Sequence, residues 1–383
     1  MDKIIRAMMS LIACEVFGKA LDKTQCELSD DEMLTLYKLS KSHDLAHIVG
    51  DALTKNDLIT NDEVRAKFRK QSMLAVYRYE KMVYELGRLR KTLNEAKIPF
   101  VPLKGSVLRR YYPEPAMRTS CDIDILVPDK RADEAVKLIV DLLGYTYESK
   151  YYHDISLISG SGIHLELHHS LKEDQPNIDA LLSECWDYAD VSEEYEYSFT
   201  PEYFLFHQYA HASHHFIYGG CGVRPFIDIY LLDRKLEFDR DVLGRMLSRT
   251  GIKTFADAAL RLAEVWFGDG EHDEVTRSME HFVLIGGVYG STENTMAVRQ
   301  QKEKGRLGYI LSSIWMPYHM LSIKYPSLRG RRYLQPYYEI KRWFRLFKPD
   351  VRARKTRDLR VISELSDSTI SDVNRMLRQL DLL

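Results

Sequence analysis

The sequence predicts an α+β protein in which a small mixed sheet is flanked by an N-terminal and a C-terminal helical lobe. Residues 1–96 show helical spacing of apolar side chains nearly throughout. At KIPFVPLKG two prolines break this pattern, and the apolar residues become continuous, as in a short buried strand. Helical spacing then returns after the next 70 or so residues. We therefore expect a helical lobe over 1–96, an α/β core over 97–175 and a helical lobe over 176–383.

The N-terminal lobe is expected to begin and end with amphipathic helices. Lys3 and Arg6 precede a short apolar stretch, but its apolar residues recur at helical spacing, which favours a first helix over an export signal. The last helix of the lobe is long. Its apolar face is expected to contain Met73, Val76, Tyr77, Tyr79, Met82, Val83 and Leu86.

The core is expected to alternate strands and helices. A strand near 100–103 precedes a short helix that opens at GSVLRRYY, and the strand DIDILV precedes a helix that ends on Gly144. Two further strands, YYHDISLIS and GIHLELHH, are separated by GSG, which is typical of a hairpin. In the C-terminal lobe, Thr200 and Pro201 are suited to start a helix that runs to Gly219.

Composition and charge limit the possible partners and compartments. The formal net charge of -2 gives no overall attraction to nucleic acid or to an anionic membrane. The five cysteines form no CxxC pair, which fits a reducing compartment. Since no stretch approaches the roughly 18 apolar residues of a spanning helix, we expect a soluble, cytoplasmic protein.

Two carboxylates interrupt the apolar strand DIDILV. Side chains at i and i+2 share a strand face, so Asp122 and Asp124 project together while Ile123 and Ile125 point to the other side. Two like charges raise each other's pKa unless a cation lies between them, and carboxylate oxygens suit Mg²⁺ or Mn²⁺. The pair therefore predicts a divalent metal site. The alternative is a pair of strand-end carboxylates that cap a loop or pair with Arg118.

A Gly-Ser turn and a third carboxylate extend this prediction. Gly105 and Ser106 lie between a predicted strand and a helix, where backbone N–H groups can bind phosphate, and Lys104 can add positive charge. Lys104 and Arg118 can equally be structural partners of the carboxylates. In IHLELHH, Glu166 shares a strand face with the flanking histidines. If this strand neighbours DIDILV, the acids form a three-carboxylate cluster.

These segments together resemble the nucleotidyltransferase superfamily, whose pattern is a Gly-Ser turn, a D-x-D strand and a later acidic residue on a neighbouring strand. The resemblance covers about residues 70–350 and is closest to a poorly characterised bacterial nucleotidyltransferase family. That family carries LKG, an arginine shortly before DIDLLV, then ELH, and then HxxxHxxxH, Arg and Asp on following helices. In this chain the last set falls on His207, His211, His215, Arg224 and Asp228.

The resemblance implies a polymerase-β-like core that transfers a nucleoside monophosphate from an NTP, such as ATP, to an acceptor hydroxyl and releases pyrophosphate. Asp122 and Asp124 would hold two Mg²⁺ ions on the triphosphate. Glu166 would join the ion that activates the hydroxyl, as ligand or as base, although this residue is often Asp in the superfamily. Gly105 and Ser106 would hold the β- and γ-phosphates, with Lys104 and Arg118 as further phosphate-binding candidates.

Five residues are candidate substrate contacts: His168, His211, His215, Arg224 and Asp228. Arg224 and Asp228 are four residues apart on a predicted helix and could instead form a plain salt bridge. The spacing of His207, His211 and His215 puts three imidazoles on one helical face. Such a face can bind zinc, contact the substrate or simply pack, and no glutamate stands in the HExxH position.

The segment 329–360 holds twelve Lys or Arg residues against three acidic ones, with aromatic residues between them. It can bind nucleic acid or an anionic surface, or it can be a solvated helix face. The acceptor stays open among a small molecule, a protein and an RNA end. Two other functions also stay open: a non-catalytic scaffold on a degenerate nucleotidyltransferase fold, and a metal-dependent hydrolase that uses the His207, His211 and His215 face.

Overall fold

The computed structural model describes residues 2–173, 175–287, 315, 316, 318, 321, 325–328, 330–344 and 367–383. The chain divides into two compact units. The first contains Met1–Ser213 and Val223–Thr276, and the second contains His214–Gly222 and Arg277–Leu383. The predicted α+β class is confirmed. The division into three lobes stays a prediction.

Four helices form the N-terminal region: α1 Asp2–Phe17, α2 Asp30–Ser42, α3 Ala46–Lys55 and α4 Asp62–Glu95. Side-chain caps form at the N-termini of two of these helices, α2 and α4. Ser29 and Glu32 form a reciprocal capping box at α2, and the side-chain oxygen Oδ1 of Asn61 accepts from the N–H groups of Glu63 and Val64 at the start of α4.

The predicted apolar face of α4 is wrong for most of its residues. Met82 and Leu86 are buried, whereas Met73, Val76, Tyr77 and Val83 are between 44% and 65% exposed. The helix changes its packing partners along its 34 residues. Its first half packs on α2 and α3, and its second half packs on the sheet. The buried stripe therefore shifts around the helix, which a single helical period cannot predict.

The main sheet has five strands: β1 Val101–Pro102, β2 Asp122–Leu126, β3 Thr146–Lys150, β4 Asp154–Ile158 and β5 His164–His168. Their order is β1-β2-β5-β4-β3, with β2 and β5 parallel and every other pair antiparallel. The strands predicted at DIDILV and on both sides of GSG are confirmed. The edge strand β3 was not predicted, because its side chains are mostly exposed and polar.

The two faces of the sheet have opposite chemistry. Ile123, Ile125, Leu165 and Leu167 are fully buried against α4 and α6, which spans Ala132–Leu143. As predicted, α6 ends at Gly144, whose φ of 72° is left-handed backbone that favours glycine. The opposite face carries the acidic and histidine side chains of the same strands, so the apolar face fixes where the polar face lies.

Between β1 and β2 the chain forms the four-residue helix α5, Gly105–Leu108, and two short 3-10 turns. Beyond β5, a hairpin of β6 Ala189–Glu193 and β7 Glu196–Phe199 lies in the region expected to be helical. The helices described between residues 175 and 287 are α7 Pro176–Leu182, α8 Pro201–Ile217, α9 Arg224–Lys235, α10 Arg240–Thr250, α11 Lys253–Phe267 and α12 Glu274–Gly286. The predicted start of α8 is confirmed. In the described part of the chain, no helix is long and apolar enough to cross a bilayer.

The second unit also contains helices Gln335–Phe344 and Asp367–Gln379. Of the basic segment 329–360, residues 330–344 are described, and Arg329 and 345–360 lie outside the described residues. Within the described part, Arg342 pairs with the buried Glu339 at 2.7 Å, while Tyr333 and Tyr337 are exposed. An anionic partner for this segment stays a prediction.

Candidate active site

The polar face of the sheet brings two predicted carboxylates together. The parallel pairing of β2 and β5 places Asp124 opposite Glu166, and Asp122 opposite His164. Paired residues on adjacent strands point to the same side of a sheet. The strand adjacency on which the three-carboxylate cluster depends is therefore present.

Asp124 is at the centre of this cluster and is 3% exposed. Its Oδ1 accepts a hydrogen bond from Lys104 Nζ at 2.8 Å and lies 2.9 Å from His168 Nε2. Burial alone would raise the pKa of Asp124, but the Lys104 ammonium and the His168 hydrogen bond together lower it. Asp124 is therefore ionised, and one of its oxygens already has two partners.

The pKa values of the other two carboxylates, Asp122 and Glu166, are shifted in the opposite direction. Burial, followed by the negative charge of Asp124, raises the pKa of Glu166 to about 8. The charge of Asp124, followed by burial, raises the pKa of Asp122. Carboxylates this close on one sheet face oppose each other's ionisation, although Lys104, and for Asp122 also Arg118, partly offset the repulsion. This is the electrostatic condition that a divalent cation relieves.

Three side chains at this place can ligate one ion. Asp124, Glu166 and His168 each offer a ligand atom, and these atoms lie within 4.8 Å of one another. Asp122 projects on the same face one strand period away. The donor set fits a divalent metal, because carboxylates bind Mg²⁺ and Mn²⁺ well.

The predicted phosphate turn borders the cluster. Lys104 has a φ of 42°, which is strained for a residue with a side chain, and its backbone directs the ammonium to Asp124. A Cβ added to Gly105 would lie 2.9 Å from Ser120 Oγ, so glycine is required there by close packing. The Ser106 N–H donates to the Leu103 carbonyl at 3.1 Å. Ser106 Oγ, in contrast, is buried without a hydrogen-bond partner in the part of the chain that the structure describes.

A buried hydroxyl without a partner is uncommon and is a site where a ligand oxygen can bind. The helix dipole adds little to this turn, because α5 has only four residues. The Ser106 hydroxyl is therefore a stronger candidate for phosphate binding than the helix N-terminus that the sequence suggested.

A family described as uncharacterised nucleotidyltransferase matches residues 29–268, a range that contains the Gly-Ser turn, β2, β5 and α9. The chain belongs to this nucleotidyltransferase family. The family assignment made from the sequence motifs is thus confirmed, and it supports a general role in nucleotidyl transfer. Neither a curated protein nor a solved structure matches the chain significantly.

In this member of the nucleotidyltransferase family, Arg118 and Asp228 bind each other. Arg118 Nε lies 2.8 and 3.0 Å from the two carboxylate oxygens of Asp228, and Tyr112 OH donates to Asp228 Oδ1 at 2.7 Å. Burial would lower the pKa of Arg118, but the adjacent Asp228 carboxylate raises it overall. The alternative of a salt bridge between Arg224 and Asp228 does not hold. Both residues are on α9, but Asp228 faces Arg118, and Arg224 pairs with Asp44.

Two of the histidines on α8, His207 and His211, stack with 6.3 Å between their ring centroids. His207 is 3% exposed, and burial, followed by the charge of Lys104, lowers its pKa to about 4. His211 Nδ1 lies 3.0 Å from Glu173 Oε1. His215 belongs to the second unit, where its carbonyl accepts from the Gly220 N–H at 3.0 Å. Among the described residues, the group of three side chains with metal-ligating spacing, Asp124, Glu166 and His168, does not include these histidines.

Sequence reasoning missed Asp154, a further acid on the polar face. Asp154 on β4 is 5% exposed and pairs in register with His168. Its Oδ1 lies 3.0 Å from His153 Nε2, and the His153 ring stacks on the His168 ring with 6.0 Å between centroids. The alternation in DISLI could have identified Asp154 as polar-facing, but only the strand order places it beside His168.

Proposed function

We propose that this protein is a divalent-metal-dependent nucleotidyltransferase of the cytoplasm. It would transfer a nucleoside monophosphate from an NTP to a hydroxyl-bearing acceptor and release pyrophosphate. The observation that carries the proposal is the register of β2 on β5, which sets Asp124 against Glu166 beside the Lys-Gly-Ser turn.

Asp122, Asp124 and Glu166 would hold Mg²⁺ or Mn²⁺. When bound, the ion would neutralise charge on the triphosphate and favour ionisation of the attacking hydroxyl. Glu166 lies at the exposed side of the cluster, where it can serve as a ligand or as the base for that hydroxyl.

The neighbouring residues would bind and orient the substrates. Lys104 holds the Asp124 carboxylate in place, and the Ser106 hydroxyl and the Gly105 backbone would bind phosphate oxygens. Arg118 is occupied by Asp228, so we propose that it fixes the segment that leads into β2.

The acceptor would approach from the side of α8. His207 is close enough to Lys104, Asp124 and His168 for their charges to affect its pKa. We retain His168, His211, His215 and Arg224 as candidate substrate contacts, and we assign Asp228 to the support of Arg118. The acceptor class stays open among a small molecule, a protein side chain and an RNA end, because a fold alone does not choose among them.

The test offers α-labelled ATP, CTP, GTP and UTP to the purified protein with Mg²⁺ or Mn²⁺ and host extract. The Asp122→Ala, Asp124→Ala double variant is the inactive form, and Asp141→Ala removes a carboxylate from the exposed face of α6 as the matched control. We expect label transfer by the native protein and the control alone. Measurable NTP binding without transfer under any condition would instead support the scaffold function.

A further inference from the structure

His168 has the geometry of a metal ligand as well as that of a hydrogen-bond donor. Its ring is buried at the end of β5, and its Nε2 lies 2.9 Å from Asp124 Oδ1 and 3.6 Å from Glu166 Oε2. Neighbouring ligands of an octahedral ion with metal–ligand distances of about 2.1 Å are about 3 Å apart. The three atoms therefore have the spacing of ligands that share one ion.

We propose that His168 ligates the catalytic metal together with Asp124 and Glu166, and that this nitrogen donor makes the site select Mn²⁺ or another divalent transition metal over Mg²⁺. The inference deepens the proposed function, on which it rests, because it concerns the metal of the same site. Imidazole suits transition metals, whereas Mg²⁺ prefers oxygen ligands and retains water.

Neighbouring side chains fix the orientation of the His168 ring, as a metal ligand requires. His153 stacks on it at an interplanar angle of 16°, and the buried Asp154 holds His153. Residues that orient a ligating histidine commonly increase metal affinity.

Metal binding requires two local rearrangements. A carboxylate only accepts hydrogen bonds, so Nε2 carries the ring hydrogen in the contact with Asp124. Ligation by Nε2 moves this hydrogen to Nδ1, and the ring stays neutral. Lys104 Nζ shares Asp124 Oδ1 with His168, so the ammonium must leave that oxygen or share it with the ion.

The decisive experiment is electron spin echo spectroscopy of Mn²⁺ bound to the full chain without nucleotide. We expect nitrogen modulation that changes when the protein is labelled with ¹⁵N-histidine. His168→Gln should abolish the modulation, whereas His164→Gln, which alters an exposed histidine on the same strand face, should leave it unchanged.

A binding measurement accompanies the spectrum. Loss of the residues that orient a metal ligand costs about 10- to 100-fold in affinity, and we expect at least that loss for Mn²⁺ in His168→Gln. The affinity for Mg²⁺ should change much less. Thermal unfolding checks that the variant is folded, and His168→Asn is the second choice if it is not.

Absence of histidine nitrogen coupling in the wild-type protein with Mn²⁺ bound would overturn the inference, whatever the variants do. Retained coupling in a folded His168→Gln protein would overturn it as well, and His168 would then only orient Asp124. The spectrum does not depend on turnover, so failure of nucleotidyl transfer would leave this result intact.

Discussion

The buried pair of Arg118 and Asp228 predicts a large loss of stability when its negative charge is removed. The side chains are 11% and 4% exposed, and the nearest atoms are 2.8 Å apart. At this distance and an effective dielectric constant of about 20, the attraction is about 6 kcal/mol. Desolvation offsets part of it, and breaking a buried pair from one side costs about 3–5 kcal/mol.

Asp228→Asn keeps the shape of the side chain and one acceptor oxygen, so we expect the lower end of this range, about 3 kcal/mol. That is roughly a hundredfold change in the folding equilibrium. The assay is denaturant unfolding at pH 7, followed by tryptophan fluorescence and circular dichroism.

Glu184→Gln provides the matched control. Arg249 and Glu184 lie 2.7 Å apart, but their side chains are 53% and 36% exposed. Removing an exposed pair of this kind costs about 0.2–1 kcal/mol. An Asp228→Asn protein as stable as the Glu184→Gln protein would refute the reasoning. If that equally stable Asp228→Asn protein were also defective in NTP-dependent transfer, Asp228 would again be a candidate substrate contact, as the sequence predicted.

Three other perturbations follow from the site and its surroundings. Lys104→Met removes the ammonium that competes with a cation, so calorimetry should detect at least about tenfold tighter binding of Mn²⁺ alone; unchanged affinity contradicts the competition. Gly105→Ala places a Cβ 2.9 Å from Ser120 Oγ and should cost about 1–3 kcal/mol, whereas thermal unfolding of Gly244→Ala, which has open space, should reveal no loss. Burial lowers the pKa of His207 to about 4, whereas an unfolded histidine titrates near 6.5. Below about pH 6.5 the unfolded chain therefore binds a proton that the folded chain does not, and the free energy of unfolding should fall by about 3 kcal/mol toward pH 4. In His207→Gln that part of the pH dependence should disappear from denaturation midpoints.

Local sequence patterns were enough to predict which side chains share a strand face and where several elements end. Alternation in DIDILV placed Asp122 and Asp124 together, and the same rule placed Glu166 with His168. Gly144 ended α6 because it adopts left-handed backbone. These are local properties, since the strand period, the helix period and the glycine φ depend on a few neighbouring residues.

Which of these groups come into contact depends on the packing of the whole fold. The strand order set Glu166 beside Asp124 and Asp154 beside His168, although periodicity is equally compatible with other orders. Arg118 pairs with Asp228, 110 residues away, rather than with the carboxylates near it in sequence. A buried charge takes the partner that the packed fold brings within hydrogen-bond distance, and that choice depends on long-range packing that no local pattern encodes.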